Sequence, residues 1–104
     1  MDVFNVNERA ARLPDAWRSQ VLGLVGTAAV KVLRMDGREL EPEVHGTAEA
    51  LFVADGLLEL DVEGEELTVG AGGLCQVPAG ARHAVRAGSR GTLLIVEVPD
   101  QKGG

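Results

Sequence analysis

Two histidines, His45 and His83, are the only ones in the chain, and each stands at a spacing that chemistry can use. Glu43 and His45 are two apart, so on an extended strand both side chains project to one face, while Glu49 shares a face with Leu51 and Val53 on the next strand. Two imidazoles with one or two carboxylates suit Fe(II), Mn(II), Zn(II) or Ni(II). Two His and one carboxylate with open positions is the arrangement expected for non-haem iron oxygen chemistry; Glu43 adds a second negative charge that favours harder ions such as Mn(II). The same segment also has a bland reading. Leu40, Pro42 and Val44 alternate with Glu39, Glu41, Glu43 and His45. If the apolar set turns inward, Glu43 and His45 face water, and Glu49 and His83 alone are too few for a firm metal site. A one-residue slip in register separates the two outcomes. In the second, His83 is a buried histidine satisfied by hydrogen bonds.

The elements that must position these residues are short strands. Gly56, Gly64, Gly72, Gly80 and Gly88 recur every eight residues, each beside other turn-prone residues, which separates strands of five or six residues and points to an all-β sandwich or barrel. Leu58, Leu60 and Val62 alternate with Glu59 and Asp61, and Leu67 and Val69 flank Thr68, so these strands have one apolar and one wetter face. Val30 to Met35 is a further strand, ended by Asp36-Gly37, a dipeptide favoured in tight hairpins. Only the N-terminal region suggests helix, with Asn7 capping a turn through Arg12 before Pro14 stops it. Leu93 to Val96 is apolar on both faces, so its outer face needs a cover, from the segment carrying Phe4 and Trp17 or from a second copy of the chain.

The 104 residues bound the answer to one domain: a barrel over about 30–98, an N-terminal arm over 1–29 and a mobile tail over 101–104. With 45% apolar and 25% charged residues the chain is not of disordered composition. Its net charge of -6 repels phosphate backbones and anionic membrane surfaces, so neither nucleic acid nor membrane is an expected partner. The longest nearly apolar run, Val21 to Val30, is well short of the ~20 residues that span a bilayer. Met1 to Asn7 carries no basic cluster before an apolar run, so no secretory signal is expected, and the lone Cys75 cannot form an internal disulfide. Both point to the cytoplasm.

Two spacings carry a resemblance. Gly37 is followed after five residues by Glu43, then Val44, His45, three residues, Glu49, six residues and Gly56. A second run reads Gly72, five residues, Pro78, Ala79, Gly80, two residues and His83. These resemble the two signature motifs of the cupin family, over roughly Val30 to Val98. The resemblance implies a small double-stranded β-helix, a jelly-roll barrel whose two motifs face the interior, and a homodimer. It also implies a divalent metal (Mn, Fe, Ni or Zn) on His45, Glu49 and His83, with Glu43 where the family has its first His. Glu43 in that place, and Ala87 where the second motif ends in Asn, are departures from the pattern.

A barrel of this kind does not specify a reaction. Three classes follow: a metal-dependent enzyme acting on a small organic molecule; a metal-free module binding a small molecule in a cavity lined by Leu51, Val53, Leu60, Val85 and Leu94; and a structural or regulatory dimer. With no Tyr in the chain and no Lys in the second motif, Glu43 and Glu49 are the only candidate bases. Cys75 reads as a small core hydrophobe, Gln76 as exposed, Arg82, Arg86 and Arg90 as solvated strand surface, and Trp17 as a packing anchor.

Overall fold

In the computed structural model, which describes residues 1–99, one seven-stranded antiparallel sheet rolls around an apolar interior. The strands are β1 (Gln20–Val25), β2 (Ala28–Asp36), β3 (Glu49–Val62), β4 (Glu65–Gly70), β5 (Leu74–Val77), β6 (His83–Val85) and β7 (Arg90–Glu97). They run in the order β1-β2-β7-β3-β4, with β5 and β6 also paired to β3. The tail at 101–104 lies outside the described residues.

β3 is the spine of the molecule. Its first half pairs with β5 and β7 and its second half with β4 and β6. The eightfold glycine spacing predicts a turn at Gly56, but here it lies inside β3, just after a register shift between Val53 and Asp55. Gly56 and Gly91 are ladder partners, both with positive φ (81° and 102°). A Cβ on Gly56 would collide with the Arg90 carbonyl, and one on Gly91 with the Asp55 carbonyl. The glycines therefore allow two backbones to cross while β3 bends, which is the barrel-corner use of glycine and not the turn use. Gly64, Gly72, Gly80 and Gly88 do sit between strands, with φ of 80–101°.

The hairpin expected at Asp36-Gly37 is also absent. The two-residue turn is at Gly26-Thr27, joining β1 to β2, whereas Gly37 opens an irregular strap over residues 37–48. The sheet thus begins at Gln20 and not near Val30. β1 gives no period-two signal because Val21, Leu22, Leu24 and Val25 leave no polar positions to alternate with.

Inward side chains of β2, β3 and β7 meet in a core of Leu33, Met35, Leu51, Val53, Leu58 and Leu93, among others. The opposite face of β2 and β7 is covered in part by the helix α1 (Val6–Arg12), whose cap is Asn5 and not Asn7: the Asn5 side chain accepts from the Glu8 amide at 3.0 Å. Arg34 donates to the carbonyls of Ala10 and Leu13 at 3.1 and 2.5 Å, tying the helix end to β2, and Val32 beneath is fully buried. Part of the cover predicted for the strand Leu93 to Val96 thus comes from within the chain, with Val96 and Phe52 still partly exposed.

Candidate functional site

Glu49 opens β3 and His83 opens β6, where it is the ladder partner of Val62 at the other end of β3. On a straight strand those two ends would lie about 40 Å apart. Instead His83 Nε2 is 2.9 Å from Glu49 Oε1, across the interior, because β3 bends at Gly56. Both side chains are more than nine-tenths buried. His83 Nδ1 lies 3.0 Å from the Ala81 carbonyl. A carbonyl can only accept, so Nδ1 carries a proton and Nε2 is the nitrogen aimed inward.

Glu43 and His45 come from the strap. It is not the strand expected over Glu39 to His45. It makes one isolated antiparallel bridge, Glu43 with His83, plus bonds from the Leu40 amide to the Val85 carbonyl and from the Gly80 amide to the His45 carbonyl. The register question is answered by irregularity: Leu40, Glu41, Glu43 and His45 all line the cavity, while Val44 is turned to solvent. His45 Nε2 is 2.8 Å from Glu43 Oε2, and the two imidazole rings are 5.2 Å apart, tilted by 47°.

All four sequence candidates therefore line one cavity of ≈ 210 Å³. Sequence reasoning missed Glu97. It ends β7 as the ladder partner of Glu49, and Leu93, Ile95 and Glu97 share one parity; a charged residue closing an inward apolar series was the available signal. One ligand atom each from Glu43, His45 and His83 lies within 4.8 Å of the others, and so do those of His45, Glu49 and Glu97. Burial, with the hydrogen bond to Glu97 adding to it, pushes Glu49 up to about 7 against the opposing pull of His83. Burial also raises Glu97, but hydrogen bonds from Lys31, at 2.8 Å, and from Glu49 outweigh it and hold Glu97 below the ordinary value. Burial raises the Cys75 thiol, which packs against the core and so serves as a small hydrophobe.

Trp17 was expected to anchor the N-terminal segment. It does so, with its amide donating to the Arg34 carbonyl and Nε1 to Asp36 Oδ1, each at 2.8 Å, and it also walls the cavity. Hydrogen bonds from Arg38 and Trp17 hold Asp36 down at about 2. Of the expected apolar lining, Leu51, Leu60 and Val85 are present; Val53 is core, and Leu94 faces away because Leu93 and Ile95 take the inward parity. Gln76, Arg82 and Arg90 are exposed, and Arg86 pairs loosely with Glu59 and Glu66.

A barrel with His83 and Glu49 facing each other inside, and the strap carrying Glu43 and His45 beside them, is the arrangement implied by the two spaced motifs, and the cupin domain family matches residues 31–99. The chain is a cupin. Solved structures agree on the fold. A cupin-2 domain protein of Shewanella frigidimarina superposes with a TM-score of 0.84 at 23% identity, covering 93% of this chain and 95% of that one. The protein NMB1881 of Neisseria meningitidis gives 0.80 at 19% identity, covering 94% and 100%. Hydroquinone 1,2-dioxygenase of Sphingomonas, solved with 4-nitrophenol, gives 0.83 at 22% identity, with 97% of this cupin matching 33% of that longer chain. A comparison with curated proteins finds no match. No helix among the described residues of this cupin is long and apolar enough to cross a membrane.

Proposed function

We propose that this cupin holds a divalent transition metal ion (Mn, Fe, Ni or Zn) on Glu43, His45, Glu49 and His83, and presents it to a small organic molecule in the cavity. The observation that carries the reading is that two donor triads, Glu43 with His45 and His83, and His45 with Glu49 and Glu97, each gather within 4.8 Å and share His45 in one cavity. The donor set fits such an ion by its chemistry: mixed imidazole and carboxylate, with His83 aiming Nε2 inward and giving its other N–H to a backbone carbonyl, the usual orientation of a metal-bound histidine. When bound, the ion supplies Lewis acidity or oxygen activation. Lys31 would then hold Glu97, and Glu97 would position Glu49 against the ion. Among the neighbours, the dioxygenases show that this fold hosts aromatic oxygen chemistry elsewhere.

A second reading keeps the barrel metal-free. It is favoured by the pairing already present: each imidazole has a carboxylate partner, and Glu97 has Lys31. Metal analysis of untagged protein, beside His83→Ala, separates the two. A stoichiometric ion lost in the variant supports the first reading; absence of binding at saturating Mn, Fe, Ni and Zn supports the second.

The homodimer belongs with this proposal. β1 is an edge strand whose Val21, Leu24 and Val25 are 54%, 70% and 70% exposed, a surface that invites pairing with a second copy. Light scattering should give twice 10.9 kDa, and a monomer mass at micromolar concentration would overturn it. The lone cysteine supports a reducing, cytoplasmic setting.

A further inference from the structure

The cavity lining is divided by chemistry. One part is apolar, built from Leu33, Leu51, Leu58, Leu60, Leu93 and Ile95, with the Trp17 side chain as a flat wall. The other part carries Glu41, Glu43, Glu49 and Glu97 with the two histidines. Among the described residues, no Lys or Arg lines it. Lys31 reaches the lining residue Glu97 at 2.8 Å and is engaged there; Arg34 is spent on helix carbonyls and Arg38 on Asp36.

Four carboxyl groups with one ammonium beside them leave this lining short of cations. An anionic ligand would enter beside these carboxyl groups with no guanidinium or ammonium in the lining to receive it. A neutral ligand needs no such partner, and a cation gains from the carboxyl groups. The size is also bounded: ≈ 210 Å³ is below the range of drug-sized pockets, yet above the roughly 150 Å³ that suffices for benzene.

We propose that this cavity selects neutral or cationic organic molecules of about one ring and excludes carboxylates and phosphates of the same size. The proposal rests on the cavity reading above and adds the charge class of its ligand. Trp17 supplies the reporter, because it is the only tryptophan, the chain has no tyrosine, and its indole is fixed by Asp36 in the cavity wall.

The test titrates the full chain with benzyl alcohol, benzylamine and benzoate, which share one ring and differ in charge, following Trp17 emission and equilibrium dialysis in parallel. The alcohol and the amine are expected to bind saturably, and benzoate at least tenfold more weakly, in both chelator-treated and Mn(II)-supplemented protein. Benzoate binding as tightly as the alcohol, or no saturable binding by any of the three, overturns the proposal. In Glu41→Gln/Glu43→Gln, benzoate should gain relative to the alcohol; an unchanged ratio would show that these carboxylates do not set the selectivity. A parallel Mn(II) titration by chelator competition reads the metal proposal separately, since a failure to bind Mn(II) leaves the order of the three organic probes standing.

Discussion

The two halves of the candidate site are built differently. Glu49 and His83 sit on ladder strands, with side chains 8% and 9% exposed, and their distance is set by the bend of β3. Glu43 and His45 sit on an irregular strap held by one bridge and a few backbone bonds, with side chains 59% and 34% exposed. The contact distances are nearly equal, 2.9 and 2.8 Å, so distance alone conceals the difference. Position in the wall pair is enforced by many cooperative hydrogen bonds. Position in the strap pair is enforced by few, in water, where an exposed ion pair is worth little.

The largest effect that would sharpen this contrast is on metal binding. His83→Ala or Glu49→Ala should abolish it, whereas Glu43→Ala should weaken it by about tenfold, the scale of a supporting residue. Chelator competition reads both, and equal losses would show that the strap carboxylate is as essential as the wall pair.

A matched glycine pair tests the architecture. Gly56→Ala sets a Cβ against the Arg90 carbonyl at positive φ and should cost about 3 kcal/mol in denaturant melts. Gly46→Ala, on the strap, meets nothing within 4 Å and should stay within about 0.5 kcal/mol. If the two variants melt alike, the bend at Gly56 is not what holds the wall pair together.

A smaller effect is expected from pH. The folded protein holds Glu49 at about 7, above the ordinary 4.5, so it binds the proton more tightly than the unfolded chain does. The stability from that proton is fully present below about 4.5 and is lost as pH rises through about 7. Glu97, shifted the other way, titrates below this interval and does not enter, and the loss should be on the order of 1 kcal/mol in metal-free protein. Metal affinity should run the other way, rising through the same interval as the ion displaces the proton. Thermal melts from pH 4 to 8 should show the step in Glu43→Gln and not in Glu49→Gln; a step that survives Glu49→Gln assigns it elsewhere.

Much of this was legible in the residues. Period-two alternation in Leu58 to Val62 and Leu67 to Val69, with turn glycines between, specified antiparallel strands because side-chain direction along a strand is a local property. Glu49, two before Leu51, shares its face for the same reason, whereas the spacing Pro78, Gly80, His83 implied an inward His83 only through its resemblance to the cupin motif. Period alone could not reveal β1, whose apolar run has no polar partner positions, or tell the turn glycines from Gly56, which differs only in what crosses it. Trp17 and Glu41 reached the cavity through contacts between residues far apart in sequence, which no local pattern encodes, whereas Glu97 left a local trace only in its parity with Leu93 and Ile95. The strap was the least legible part: its alternation suggested a strand, but it has neighbours on too little of its length to make one. Composition and local pattern therefore determined the class of fold and two of the site residues. The tertiary structure alone decided that β3 bends, that Glu43 and His45 line the cavity mouth beside the wall pair, and that a carboxylate from β7 joins them, because each depends on which distant backbone segment lies alongside.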